Sequence, residues 1–242
     1  MGGQVVAVKT VEGRMNVAVL RPDKPAGSGV ILYMDAFGLR PALDLMAERM
    51  AGWGHVVLVP DLFYRFGAYG PIDAKTGFAE EASRAALMKM MGGTSQDQTV
   101  ADSGAMLDLL AAEGVTGPVG TVGYCFGGGR ALNAAAAYPG RIRAAASFHG
   151  GNLASDAPDS PHTRVGAIKA RVYVASAGVD RSFPPEQSAR LAQALRAGGV
   201  DHVIENYLGM EHGWCVPDSA AYDATGAARH WRRLENLFGE TL

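Results

Sequence analysis

The chain has 242 residues, of which 48% are hydrophobic and 19% charged, and 22 basic against 24 acidic side chains leave a net charge of −2. This is the balance of a globular protein long enough to bury a sizeable core. No block of like charge invites nucleic acid or an anionic membrane, and no apolar run approaches the roughly 20 residues of a spanning helix.

In chain order, "QVVAVKTVEG" and "MNVAVLRP" read as an antiparallel strand pair turning near Gly13. "GVILYMDA" is a continuous apolar run, as expected of a strand covered on both faces. "PALDLMAERMAGWG" follows with Leu43, Met46, Ala47 and Met50 at helical spacing. "HVVLVPDLF" is the next strand, and helices are expected over 76–91 and 98–113. "GPVGTVGYC" reads as a strand and "GGGRALNAAAAYP" as a helix closed by Pro139. "RIRAAASFHG" and "ARVYVASAG" are strands, separated by a long surface loop. "PPEQSARLAQALRAGG" has the proline start and glycine end of a helix. A final strand, "DHVIENYLG", precedes a helix over 222–237. Strands alternating with helices imply one α/β domain over 1–242, with a mostly parallel central sheet and helices on both faces. Sites in such sheets gather at the carboxyl ends of the strands.

The opening residues lack a basic segment followed by an apolar one, and Val6 stands where a myristoylation signal needs Ser or Thr. Two cysteines, Cys125 and Cys215, make no disulfide framework. A reduced, cytoplasmic protein is the expectation.

The stretch "VGTVGYCFGGGR" sets Cys125 between glycines at a strand-to-helix turn. This is the order of a nucleophile elbow with cysteine in place of serine. Gly123 and Gly127 let neighbouring backbone pass where a Cβ would clash. A helix starting near Gly127 aims its N-terminal dipole at Cys125, which favours the thiolate. An elbow nucleophile is followed in the chain by an acid and then a histidine. Asp180 just past one strand and His212 just past the last meet that order, so that His212 would move the proton and Asp180 would hold the ring. His149 also ends a strand and reads as a rival base or a pocket wall. His55, His162, His202 and His230 read as solvated. Asp201 and Glu205 flank or lie within the last strand, away from the carboxyl-end cluster. Acyl transfer also needs donors for an oxyanion. The N–H of Phe126 is one, and the N–H of Ala36, in a loop freed by Gly38, is the other.

Together, "MDAFG", "PDLFYR", "GYCFGG", the Asp180 loop and "EHGW" resemble the dienelactone hydrolase (carboxymethylenebutenolidase) family of α/β-hydrolases over nearly the whole chain. The resemblance implies a lidless single domain that opens a cyclic enol-lactone through a thioester on Cys125, with no cofactor or metal. It implies that Asp35, before the oxyanion-hole residue, assists the nucleophile. It implies that Arg65 grips a substrate carboxylate, while the place of a second arginine is taken by Val216. Arg40 or an arginine of the 181–190 loop could compensate. Phe37, Tyr64, Tyr69 and Trp214 are candidates to line the pocket beside His149, and Cys215 reads as a structural thiol. Two other readings stay open. One is a different thiol enzyme, although Glu211 precedes His212 and Cys-x-x-Cys is absent. The other is a ligand-binding α/β-hydrolase without turnover. The expected partner is a small lactone or ester.

Overall fold

The computed structural model describes residues 3–242. Residues 1 and 2, where the readings on export and lipidation begin, lie outside them. One sheet runs through the described residues in the order β1-β2-β4-β3-β5-β6-β7-β8. Its strands are β1 (Gln4–Lys9), β2 (Arg14–Leu20), β3 (Gly29–Tyr33), β4 (Val56–Pro60), β5 (Val119–Tyr124), β6 (Ile142–Phe148), β7 (Arg171–Val179) and β8 (His202–Glu211). β1 pairs antiparallel with β2, and β2 with β4; every later pairing is parallel. The inner strands β3, β4 and β5 are buried at every residue, which explains their unbroken apolar runs.

Among the described residues the α-helices are α1 (Pro41–Ala51), α2 (Glu81–Gly92), α3 (Gln96–Ala112), α4 (Phe126–Ala137), α5 (Pro185–Ala197) and α6 (Ala224–Thr241). Successive residues of β5 show that α4 and α6 lie on opposite faces. The Thr121 hydroxyl donates to Ala131 of α4, whereas a Cβ on Gly120 would meet Phe238 of α6. α1 shares the α6 face: Arg49 lies over the Trp231 ring, and Trp53, just past α1, packs edge-on against Trp231 and Phe238. The helix ends follow local chemistry. Ser95 and Gln98 form a reciprocal capping box on α3, and Asp223 accepts the Gly226 N–H to start α6.

Two expectations change. The helix expected from residue 76 begins at Glu81, because 73–80 is consumed in turns such as Gly77 N–H to Asp73 and Glu80 N–H to Thr76. His230 and His55, read as solvated, are buried. His230 faces the sheet from α6 and meets the Tyr124 hydroxyl at 2.8 Å; His55 meets Ser28 Oγ at 2.7 Å. Among the described residues no helix is long and apolar enough to cross a membrane.

Candidate active site

Cys125 follows β5 directly and has φ 52° and ψ −115°, a conformation that a non-glycine residue adopts at a cost. What enforces it is close packing. A Cβ on Gly123 would stand 2.0 Å from the Gly127 carbonyl oxygen, and one on Gly127 would stand 2.4 Å from that of Tyr33. The second contact draws the start of α4 against the end of β3. Phe126 and the β3 loop that carries Ala36 therefore become neighbours. Phe126 opens α4, so its N–H has no intrahelical acceptor. The β3 loop closes through Phe37 N–H to Asp35 Oδ1 at 3.0 Å and Gly38 N–H to the Asp35 carbonyl at 3.4 Å. Neither bond uses the Ala36 N–H.

Asp180 and His212, at the ends of β7 and β8, meet with Oδ2 and Nδ1 2.7 Å apart. The Cys125 side chain lies near enough to the same ring to interact with it electrostatically. Burial disfavours a charged His212, but Cys125 and Asp180 outweigh it and hold the imidazole up at about 10. Burial would raise the Asp180 carboxyl; bonds from His212 and Ser182 outweigh it and keep it below its ordinary value. Ser182 gives Asp180 Oδ1 two donors, its N–H at 2.8 Å and its hydroxyl at 2.7 Å. The sequence reading missed Ser182, although an Asp with Ser two residues on is a recognisable turn signal.

His149, at the end of β6, is buried and has φ 39°. Its Nδ1 accepts the backbone N–H of Cys125 at 3.1 Å, and its ring packs against His212 at 4.8 Å between centroids. Burial, with His212 and His230 close by, pushes it well below the ordinary histidine value. It is a neutral support under the elbow, with the ring proton on Nε2. Trp214 is fully buried, wedged between His149 and Tyr207. Cys215 is buried too, and burial pushes its thiol up.

Other expected residues are engaged within the protein. Asp35 takes a bidentate contact from Arg40, both bonds at 2.7 Å, and Arg40 also grips Asp218 at 2.7 and 3.0 Å. Asp35 is thus an ion-pair partner of Arg40, and Arg40 carries two carboxylates already. Arg65 donates to both oxygens of Asp102 at 2.9 and 3.0 Å, and its Nε bonds Glu12. Both edges of that guanidinium are occupied. Tyr64 bonds Thr10 and Asp102, and Tyr69 bonds Asp61. Phe37 packs edge-on against Phe78 at 5.4 Å, and Val216 is buried.

A mostly parallel sheet with a strained elbow at the end of β5 and an acid and a histidine at the ends of β7 and β8 is the architecture of an α/β-hydrolase. The family model described as "Dienelactone hydrolase family" matches residues 15–242. The chain belongs to that family and is a hydrolase of its type. It is 30% identical over 222 residues to a "Putative carboxymethylenebutenolidase" of Synechocystis sp., covering 88% of this chain and 86% of the relative. Among solved structures, a "Putative Dienelactone Hydrolase" of Klebsiella pneumoniae superposes with a TM-score of 0.84 at 22% identity, covering 98% of each chain. A "Dienelactone Hydrolase-like" promiscuous phosphotriesterase from metagenomic libraries superposes with a TM-score of 0.79 at 25% identity, covering 100% of this chain and 99% of that one.

Proposed function

We propose that this protein hydrolyses a small lactone or carboxylic ester through a thioester on Cys125. The observation that carries the reading is the shared imidazole: His212 bonds Asp180 through Nδ1 and also meets the Cys125 side chain. In the reaction, the Cys125 thiolate attacks the acyl carbon, and the carbonyl electrons move onto oxygen. The N–H groups of Phe126 and Ala36 hold that oxyanion. As it collapses, the carbon–oxygen bond breaks and His212 protonates the leaving oxygen, giving a thioester. In a lactone the leaving hydroxyl or enol stays tethered to the acyl group. Neutral His212 then takes a proton from water, the hydroxide attacks the thioester, and the carbon–sulfur bond breaks to release the acid and the thiolate. Asp180 keeps the ring oriented and steadies its positive form. A free nucleophilic thiol suits a reducing compartment such as the cytoplasm.

The test is hydrolysis of p-nitrophenyl acetate and of a dienelactone by the wild type, Cys125→Ala and His212→Ala. Turnover should vanish in Cys125→Ala and fall by several orders of magnitude in His212→Ala. Full activity in either variant overturns the assignment. Tight binding without an acylation burst in the wild type means a carrier.

A further inference from the structure

Arg130 sits on α4, past the elbow, and is only 7% exposed. Among the described residues it forms no ion pair. Its Nη1 donates to the Phe126 carbonyl at 2.8 Å and its Nη2 to the Thr94 carbonyl at 2.8 Å. Its Nε is buried with no acceptor. The guanidinium carbon stands 3.3 Å from the centre of the Phe126 ring. Burying a cation without a bound carboxylate is costly, and a side chain that served packing alone would not need the charge.

What the guanidinium holds is Phe126, by its carbonyl and by its ring at once. Phe126 also carries the N–H next to Cys125. We propose that Arg130 is a positioning residue for acyl transfer, clamping Phe126 so that its N–H stays aimed at the oxyanion and lending positive charge to the Cys125 thiolate. The proposal rests on Cys125 being the nucleophile. Burial outweighs Asp159 and Cys125 and brings Arg130 down to about 9, which still leaves it charged at neutral pH. The groups shown at Cys125 from the other elements are His212, with Asp180 behind it, and neutral His149, whose ring nitrogen accepts the Cys125 N–H. Arg130 is the cation on the α4 side.

The experiment compares full-length wild type, Arg130→Gln and Arg130→Lys in p-nitrophenyl acetate hydrolysis and in the pH profile of iodoacetamide alkylation at Cys125. Arg130→Gln should lower kcat about 10- to 100-fold, somewhat less than deleting an oxyanion donor outright, with KM within about twofold. Its alkylation profile should move to higher pH. Arg130→Lys keeps the charge but loses the planar fork. Its alkylation profile should stay near wild type while kcat recovers only in part. A purely structural role would lower the melting temperature and leave the alkylation profile in place. Wild-type kcat in Arg130→Gln, or an unmoved profile, overturns the proposal. Should Arg130→Gln not fold, Phe126→Leu removes the clamped ring and leaves the cation. Its kcat should fall with the profile unmoved, and an unchanged kcat overturns the clamp. If iodoacetamide-blocked wild type still cleaves the ester, Cys125 is not the nucleophile and both readings fall together.

Discussion

Asp180 Oδ2 lies 2.7 Å from His212 Nδ1, and the same carboxylate's Oδ1 accepts both the N–H and the hydroxyl of Ser182. The acid is therefore fixed from two sides before it fixes the imidazole. Asp180→Asn keeps the shape but removes the charge and favours the wrong ring tautomer. In the proposed reaction kcat should fall by roughly two to four orders of magnitude with little change in KM. Steady-state kinetics on p-nitrophenyl acetate checks this, and a loss confined to KM would remove Asp180 from the proton path.

Ser182→Ala isolates the second side of that support. The variant keeps the Ser182 N–H bond and loses the hydroxyl, with its bond to Asp180 of about 0.5–1.5 kcal/mol and its longer contact with His212 Nδ1 at 3.4 Å. We expect kcat to fall by roughly three- to tenfold. The pH at which kcat falls with His212 should also shift, because Asp180 is then held less firmly in its charged form.

Gly127 tests the packing that joins the two proposed oxyanion donors. An added Cβ would lie 2.4 Å from the Tyr33 carbonyl and 2.6 Å from that of Met34, and these are backbone atoms at the end of β3 that cannot step aside. Gly127→Ala should cost about 1–3 kcal/mol of stability or more, seen as a lower denaturant midpoint. In the fraction that folds, activity should drop further than Phe126 ring substitutions alone would lower it, since the helix start must back away from β3.

The site was legible to the extent that it depends on order along the chain. Cys125, Asp180 and His212 could be singled out as candidates because each directly follows a strand, and parallel strands deliver their carboxyl ends to one edge. Partnerships made across the fold were not legible. Arg40 reaches Asp218 across 178 residues and Arg65 reaches Asp102 across 37, and no local pattern announces either pairing. His230 was misread for a related reason. A histidine on an amphipathic helix is buried or solvated according to a rotation of about 100° per residue, and its partner Tyr124 lies 106 residues away.

His230 makes stability depend on acid. Burial holds it neutral in the fold, down at about 3 against an ordinary value of 6.5. The unfolded chain therefore takes up a proton between pH 6.5 and about 3 that the folded chain refuses. The stability tied to neutral His230 is present above pH 6.5 and is lost as pH falls through that window, approaching about 1.4 kcal/mol per pH unit. Thermal melts at stepped pH should show this decline. His230→Gln removes one titrating group, so its melting temperature should start lower at pH 7.5 but fall less steeply toward pH 5. Parallel slopes for the two proteins would contradict the buried neutral histidine.

The arginine pairs bear on which acyl group is cleaved. Arg65 is closed at both edges by Asp102 and Glu12, Arg40 carries Asp35 and Asp218, and the place where the family resemblance expects a second arginine is buried Val216. A substrate carboxylate gains most from a free guanidinium fork, and neither of these forks is free. Beside them it meets more acid than base. We therefore expect a lactone without a charged group to be preferred. The comparison uses one scaffold in two forms, a dienelactone free acid and its primary amide, followed by absorbance of the ring system. The amide should have a kcat/KM at least about tenfold higher, a difference of roughly 1.4 kcal/mol in transition-state binding, and added salt should narrow the gap by screening the acid's repulsion. A preference for the acid would mean that Arg65 leaves Asp102 when substrate binds. Asp102→Asn should then raise activity on the acid further.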